Sequence, residues 1–200
     1  MSVWSRVFAS AYDPFLARAE RLGMAEARTN LLANAHGRIL EIGAGTGLNV
    51  AHYPPGADVV LTEPDPHMAR RARRRGADVI EARADALPFP DASFDTVVST
   101  LVLCTVPDVP AVLQEVRRVL RPGGDLLFLE HVRAEPGSRL ERWQDRLHGP
   151  WKAFACGCNC NRDLLTVLGR ENFQSVGARH DWRFMPALVR PVVSGVATPR

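Results

Sequence analysis

The chain has 200 residues, a length that suits one domain whose core needs neither disulfides nor metal for stability. Hydrophobic residues make up 46% and charged residues 24%, a globular composition that excludes a disordered tail. The net charge of +3 does not demand a nucleic-acid partner, and no apolar run approaches the roughly 18 residues of a membrane-spanning helix.

The N-terminal segment, residues 1–36, is rich in alanine and arginine with spaced aromatic residues, which predicts a helical cap before the first strand. It lacks the charged and apolar regions of a signal peptide, so we expect none. Strand-like and helix-like segments then alternate, which predicts an α/β fold with a doubly wound parallel sheet. The predicted strands are 38–43, 57–63, 77–82, 94–100 and 126–132. The predicted helices between them lie near 48–53, 66–75 and 109–120.

The C-terminal part departs from this alternation. Residues 133–160 form an aromatic- and cysteine-containing insertion, followed by a helix from about residue 162 and two closing strands near 173–182 and 187–197. We therefore predict a single domain: 1–36 is the helical cap, 37–132 the ligand-binding core, 133–160 an insertion, and 161–200 the closing helix and strands.

Two clusters of residues, one of cysteines and one of arginines, could indicate a metal site or an RNA-binding site. Cysteines at 104, 156, 158 and 160 are poorly spaced for disulfides with one another or for zinc, so we expect a reduced, cytoplasmic protein without a metal site. Arginines at 70, 71, 73, 74 and 75 spread around one short predicted helix, which is typical of a solvated face rather than an RNA site.

The most informative segment runs from Ile39 through Gly43, Gly45 and Gly47 to Asn49, where a strand ends at glycines and a helix begins. Glycines at such a turn let the backbone approach a ligand closely. The spacing is GxGxG, whereas the dinucleotide fingerprint GxGxxG would require glycine at Leu48. A tight structural turn is the simpler alternative for this loop alone.

Two acidic residues make a nucleoside site the better interpretation. Glu63 ends the second predicted strand, 20 residues after Gly43, where a carboxylate can accept the two hydroxyl groups of a ribose. Asp85 lies between the third and fourth strands and can accept a hydrogen bond from an exocyclic amine. The glycine loop, Glu63 and Asp85 would each be an ordinary loop or strand-end feature on its own. Together, in this order along the chain, the three predict a nucleoside-binding site.

These motifs, together with Phe94-Asp95 and the Pro122-Gly123-Gly124 turn, resemble those of class I S-adenosylmethionine-dependent methyltransferases across residues 37–132. The resemblance implies a Rossmann-like seven-stranded sheet, mostly parallel with an antiparallel last strand. It implies S-adenosylmethionine as cofactor and S-adenosylhomocysteine as product. The cofactor-binding residues it implies are Glu41, Gly43, Ala44, Gly45, Gly47 and Asn49 in the loop, Glu63 on the ribose, Pro64 and Met68 beside the adenine, Asp85 and Ala86 on its edge, and Thr100 and Leu101.

A narrower resemblance to small-molecule thiol S-methyltransferases, which include bacterial enzymes, covers Ser99–Val106, Leu129–Val132 and Gly157–Arg162. It implies S-methylation of a small lipophilic metabolite or xenobiotic thiol. More distant bacterial relatives suggest phospholipid-amine N-methylation or quinone C-methylation instead. Outside this class, a nucleoside-binding oxidoreductase or a non-catalytic cofactor-binding domain stays open.

The acceptor is expected at the carboxyl ends of the fourth and fifth strands, where open α/β sheets bind ligands. There Thr100, Leu101 and Cys104 would meet Glu130 and His131. We predict His131 as the proton acceptor and Asp13 as the second candidate, although a strand-end histidine with only local hydrogen bonds is equally compatible. The other predicted acceptor-binding residues are Tyr12, Trp143, Trp151, Phe154 and Cys158.

Overall fold

The structure is a computed structural model that describes residues 3–200, with side chains from residue 6 onward. The chain begins with α1 (Val3–Ala19) and α2 (Ala25–Leu32), joined by a wider turn at Glu20–Met24. Gly23 has a φ of 136° in this turn, a conformation that side chains other than glycine rarely adopt. The chain therefore changes direction between α1 and α2, and the two helices together form the cap.

The described residues form one seven-stranded sheet in the order β3-β2-β1-β4-β5-β7-β6. Strands β1 to β5 pair in parallel, and β7 pairs antiparallel with both β5 and β6. The predicted fold class is confirmed. The strands are β1 (Arg38–Ile42), β2 (Asp58–Thr62), β3 (Val79–Ile80), β4 (Phe94–Thr100), β5 (Leu120–His131), β6 (Phe173–Asp181) and β7 (Pro191–Pro199).

Four helices of the described chain connect the strands, and each begins at a side chain that accepts a hydrogen bond from the first turn. They are α3 (Pro66–Arg74, capped by Asp65), α4 (Val109–Val119, capped by Asp108), α5 (Arg139–Phe154, capped by Ser138) and α6 (Leu164–Arg170, capped by Asp163). Short 3-10 turns occupy Leu48–His52 and Ala187–Val189. None of the helices described is long and apolar enough to cross a membrane.

Several predicted boundaries are wrong for physical reasons. Strand β3 is only two residues long: it pairs with β2 at Val79 and Ile80 alone, and Ile80 is partly exposed at this edge of the sheet. Strand β5 starts at Leu120, before the predicted start at 126, because Leu120 already pairs with Phe94 of β4. The register then shifts, so that Thr96 pairs with Asp125. The strand predicted at 187–197 starts at Pro191 because a 3-10 turn precedes it. The insertion contains the 16-residue helix α5, although Pro150 lies within it.

Two apolar clusters position the site. The larger one packs α4 and α6 against one face of the sheet, with Phe94 and Phe128 fully buried. A second cluster joins Leu16 and Met24 of the cap to Cys104, Cys158 and Met185. Since this second cluster lies between the cap and the strand ends, it forms the apolar wall of the site.

Candidate active site

A cavity of about 760 Å³ lies at the carboxyl ends of the parallel strands. Glu41 and Glu63 reach it from the ends of β1 and β2, and Thr100 and His131 from the ends of β4 and β5. The cap contributes Tyr12, and α5 contributes Trp151 and Phe154. The cavity is therefore the switch-point crevice in which open α/β sheets bind ligands.

The glycine loop after β1 forms one wall of the cavity. Gly43 has a φ of 59°, and a Cβ there would lie 2.6 Å from the Val102 side chain. Gly45 has a φ of 57°, but a Cβ there would meet no protein atom within 4 Å. Glycine is thus required at 43 by protein packing, whereas the volume beside Gly45 is open to a ligand.

Glu63 is fixed by the loops that surround it. One carboxylate oxygen accepts from Gly45 N at 2.8 Å and the other from Asp65 N at 2.8 Å. Burial raises the pKa of Glu63, and the two backbone hydrogen bonds oppose that shift. Because each carboxylate oxygen has a second lone pair, the residue can still accept two ligand hydroxyl groups from the cavity side.

A buried polar network lies beneath the glycine loop. Asn49 Nδ2 donates to Glu41 Oε1 at 3.0 Å and to Thr100 Oγ1 at 2.7 Å, and its Oδ1 accepts from Arg28 Nη1 at 2.7 Å. Tyr53 Oη donates to the other Glu41 oxygen at 2.6 Å. Burial raises the pKa of Glu41 to about 7 despite these hydrogen bonds. The network brings the guanidinium group of Arg28 to the cavity wall.

Asp85 lines the cavity with its carboxylate held by Arg83, which donates from Nε at 2.8 Å and from Nη2 at 2.5 Å. These hydrogen bonds lower the pKa of Asp85, so it is ionised at neutral pH. A carboxylate in this state accepts hydrogen bonds and does not donate them.

The loop after β4 is fixed from below by Glu130. Its Oε1 accepts from Ser99 Oγ at 2.7 Å and from the backbone N–H groups of Val102 and Leu103, both at 2.9 Å. Burial raises the pKa of Glu130, and these hydrogen bonds oppose the shift. The expectation that Glu130 faces the methyl group is wrong: its carboxylate is used within the loop, because successive strand residues point to opposite faces.

His131, the next residue, does reach the cavity. Its Nδ1 atom is buried and has no hydrogen-bond partner among the described residues. Burial lowers its pKa to about 4, and a hydrogen bond with the backbone of Val189 opposes the shift. The ring is therefore neutral at physiological pH, and the unpartnered Nδ1 can accept a hydrogen bond when the proton is on Nε2.

Two buried thiols complete the inner wall, on Cys104 and Cys158. A hydrogen bond with Cys158 and burial raise the pKa of Cys104, so Cys104 stays a neutral thiol. The hydrogen bond with Cys104 lowers the pKa of Cys158, burial opposes this shift, and the nearby Trp151 contributes to the lowering. The indole N–H of Trp151 itself is buried without a well-formed hydrogen bond in the described structure. Apart from His131 and the exposed Lys152 of α5, the acceptor side of the cavity is lined by apolar or weakly polar groups.

Comparison with known proteins decides the family. The methyltransferase domain model matches residues 40–128. The human thiol S-methyltransferase TMT1A is 36% identical over 173 residues, which are 80% of this chain and 69% of that protein. Human TMT1B is 39% identical over 156 residues, 72% of this chain and 64% of that protein. The chain belongs to the S-adenosylmethionine-dependent methyltransferase family.

The fold of this methyltransferase also matches solved structures. A S-adenosylmethionine-dependent methyltransferase from Thermotoga maritima aligns with a TM-score of 0.75 at 22% identity, covering all of both chains. The aligned parts of the two human relatives are about two thirds of their length, so the chain spans only that share of them.

Most predicted site residues of the methyltransferase line the one cavity. On the cofactor side these are Glu41, Gly43, Ala44, Gly45, Asn49, Glu63, Pro64, Met68, Asp85, Thr100 and Leu101. On the acceptor side they are Tyr12, Cys104, His131, Trp151, Phe154 and Cys158.

Four predicted site residues do not line the cavity. Gly47 packs against the Ala72 backbone, where a Cβ would lie 3.1 Å away, and Ala86 forms an isolated bridge with Arg83. Asp13 accepts from Thr46 Oγ1 at 2.5 Å and from Arg75 Nη2 at 2.9 Å, so both of its oxygens are engaged. Trp143 is half exposed, beneath the guanidinium group of Arg146.

The sequence interpretation missed Arg28, Arg83, Met185 and Val189, all of which line the cavity. Arg83 had a detectable signal, since it lies two residues before Asp85. The other three had none, because their positions depend on how the cap and the 182–189 segment fold over the strand ends.

S-adenosylmethionine, the methyl donor of this family, fits the residues present. The open volume beside Gly45 accommodates a ligand, Glu63 offers hydroxyl acceptors, and Arg28 provides a cation. No three histidine, cysteine or acidic residues of the described chain are grouped so that they could hold a metal ion.

Proposed function

We propose that this methyltransferase transfers a methyl group from S-adenosylmethionine to the thiol of a small lipophilic acceptor. The observation that carries the proposal is the buried, unpartnered Nδ1 of a neutral His131 in a cavity whose acceptor side is otherwise lined mainly by apolar side chains and thiols, with Lys152 as its one basic residue on α5. The similarity to human proteins named thiol S-methyltransferases supports the same acceptor class.

The residues that we assign to cofactor binding follow β2 and β3, and Arg28 of α2 joins them. Glu63 would accept from the ribose hydroxyl groups, and the ionised Asp85 from the adenine amine. Arg28 would bind the amino-acid carboxylate through a charge-assisted hydrogen bond. Pro64 and Met68 line the same cavity near Glu63 and would flank the adenine.

Bound S-adenosylmethionine supplies an electrophilic methyl group on a positively charged sulfonium. The chain holds the acceptor sulfur in line with that methyl group and excludes water, through Leu101, Cys104 and Trp151. A developing thiolate and the sulfonium would neutralise each other in the transition state, and weakly polar walls would offer them little competing solvation. The S–C bond to the acceptor would form as the sulfonium S–CH3 bond breaks, which would release S-adenosylhomocysteine, while the thiol proton passes to a nearby base.

His131 is the group that receives this proton at Nδ1. A free thiol has a pKa near 8.5, so full transfer to a histidine of pKa about 4 in the resting site costs about 6 kcal/mol. Proton transfer must therefore accompany S–C bond formation rather than precede it. Before that step, Nδ1 orients the thiol by accepting its hydrogen bond.

The same electrostatics favour a thiol over the alternative acceptors. A quinone or phenol carbon needs a firm base, and a histidine with a pKa near 4 is a weak one. Asp13, the second candidate, has both oxygens engaged by Thr46 and Arg75. An amine acceptor would be favoured by a free carboxylate on the acceptor side, and the acidic residues that line the cavity are on the cofactor side.

An acceptor panel tests the proposal. Alkyl and aryl thiols, amines, phenols and phosphatidylethanolamine are compared by release of S-adenosylhomocysteine. We expect turnover of lipophilic thiols, reduced at least a hundredfold in His131→Ala and unchanged in His36→Ala, whose ring is exposed. Turnover of amines without turnover of thiols would show that the acceptor is an amine. Full activity of His131→Ala would show that His131 is not the proton acceptor.

A further inference from the structure

Exposed apolar side chains are concentrated on the helices at the cavity mouth. Six of the eight large apolar residues that are exposed in the described chain lie on α1, the turn after it, or α5. Five of them, Val7, Phe15, Trp143, Leu147 and Phe154, are called the mouth rim here. Isolated exposed apolar residues are ordinary in soluble proteins, but a concentration on two helices marks an interaction surface.

The mouth rim is continuous with the cavity. Val7, Phe15 and Phe154 line its opening. Trp143, Leu147 and Phe154 are spaced four and seven residues apart, so they share one face of α5. The exposed apolar face of α5 thus leads from the protein surface to the acceptor side of the site.

Helices α1 and α5 carry more unpaired basic residues than unpaired acidic ones. Their acidic residues Asp13, Glu141 and Asp145 are each paired with an arginine outside these helices, Arg75 or Arg133. Six basic residues of α1 and α5 are exposed and make no ion pair within the described chain: Arg6, Arg18, Arg139, Arg142, Arg146 and Lys152. The mouth rim is therefore surrounded by uncompensated positive charge.

We infer that the mouth rim docks on an anionic phospholipid bilayer. Trp, Phe and Leu beside Lys and Arg on one helix face are the composition of helices that lie in the membrane interface. The bilayer fits both features, because its acyl boundary takes the apolar side chains and its anionic headgroups attract the basic ones. Docking would turn the cavity mouth toward the phase in which lipophilic acceptors concentrate. Only this last consequence rests on the proposed function.

Vesicle sedimentation tests the inference independently of turnover. The chain is mixed with vesicles of phosphatidylcholine and phosphatidylglycerol at 3:1, or of phosphatidylcholine alone. We expect binding to the anionic vesicles that weakens as salt increases, and at least tenfold weaker binding to the neutral ones. Absence of binding to the anionic vesicles at low salt would overturn the inference.

Matched variants locate the surface. Trp143→Ser/Leu147→Ser removes rim residues that do not line the cavity, and Val176→Ser removes an even more exposed apolar residue on β6. Arg142→Gln should weaken vesicle binding about fivefold, and Arg170→Gln at the end of α6 should not. All variants should turn over a water-soluble thiol at the wild-type rate without vesicles, which separates failure of docking from failure of the proposed reaction.

Two outcomes would contradict docking of the mouth rim on a bilayer. If Val176→Ser loses vesicle binding as strongly as the rim variant, the mouth rim is not the docking surface. If the wild-type chain instead forms a concentration-dependent oligomer that Trp143→Ser/Leu147→Ser dissociates, with no vesicle binding, the rim is a protein interface and the inference is wrong.

Discussion

His131 makes the pH response of catalysis differ from that of an ordinary histidine enzyme. Because burial lowers its pKa to about 4, its Nδ1 is available as an acceptor at every pH above about 5. If His131 takes the proton from a bound neutral thiol, kcat/KM should be flat from about pH 5 to pH 8, with no break near 6.5. In His131→Gln only preformed thiolate can react, so kcat/KM should rise tenfold per pH unit up to the thiol pKa.

The measurement is release of S-adenosylhomocysteine with one alkyl thiol across this pH range. The KM for S-adenosylmethionine should stay the same in His131→Gln, since the side chain acts on the acceptor. A wild-type profile that rises tenfold per unit, parallel to that of the variant, would show that the thiol ionises without His131.

Glu41 couples the cofactor loop to protein stability. Its pKa of about 7 exceeds its ordinary value of 4.5, so between these values the folded chain binds a proton that the unfolded chain has lost. This stabilisation is complete below pH 4.5 and is lost as pH rises through 7, an effect of about 3 kcal/mol. Glu41→Gln removes it, so its free energy of unfolding relative to wild type should increase by about 2–3 kcal/mol from pH 5 to pH 8.

Urea unfolding at the two pH values measures this difference. His131 has the opposite dependence, because a depressed histidine pKa costs stability as pH falls from 6.5 to 4, but it is present in both proteins and cancels. Glu26→Gln, at an exposed position on α2, is the control and should follow the wild type. Parallel pH curves for Glu41→Gln and wild type would show that Glu41 titrates normally.

At the scale of elements, the α1–α2 cap contributes a cation to a site built mainly by the sheet. Arg28 of α2 donates to Glu20 at 3.1 Å and to Asn49 at 2.7 Å. Arg28→Met should weaken binding of S-adenosylhomocysteine about tenfold to a hundredfold, because a charge-assisted hydrogen bond contributes about 1.5–3 kcal/mol. Calorimetric titration measures the affinity.

Removal of Arg28 alone leaves the Glu20 carboxylate without its cation, which would destabilise the cap. The double variant Glu20→Gln/Arg28→Met removes that charge as well, and Arg21→Met tests an exposed arginine of the same turn. Wild-type affinity in the double variant would exclude Arg28 from the cofactor site.

The elements themselves differ in how far the sequence determines them. Strands β1, β2 and β4 and the turns after them were predictable because apolar runs ending at glycine or an acid have a local signal. Helix α5 was not, because aromatic and charged residues alternate irregularly along it and Gly149-Pro150 is typical of a helix end. Glu130 and His131 are adjacent in sequence but point to opposite faces, a consequence of strand geometry that the motif alone concealed.

At the scale of the whole molecule, the two halves of the site come from different parts of the chain. Apart from Arg28, the cofactor side is local to residues 41–101, so most of its residues could be predicted from motifs. The acceptor side joins α1, the loop after β4, the 156–160 segment and the 185–189 segment in one apolar cluster. Those contacts are long-range, which is why Met185 and Val189 had no sequence signal.

A ligand that binds the folded sheet stabilises the whole chain by mass action. S-adenosylhomocysteine at a hundred times its Kd should add about 2.7 kcal/mol, which raises the Tm of a 200-residue protein by roughly 5–10 °C. NAD should give no shift, because Leu48 replaces the third glycine of its fingerprint. Differential scanning calorimetry with each ligand measures both shifts.

Two glycines of the chain make the location of this stabilisation testable. Gly45 and Gly56 have positive φ angles of 57° and 80°, and a Cβ at either would meet no protein atom within 4 Å. Alanine at each position should therefore cost a similar backbone strain of about 1–2 kcal/mol. Only at Gly45 would the new methyl group occupy cavity volume, so Gly45→Ala should lose the Tm shift with S-adenosylhomocysteine while Gly56→Ala keeps it. Equal shifts in the two variants would mean that the cofactor does not approach the backbone at Gly45.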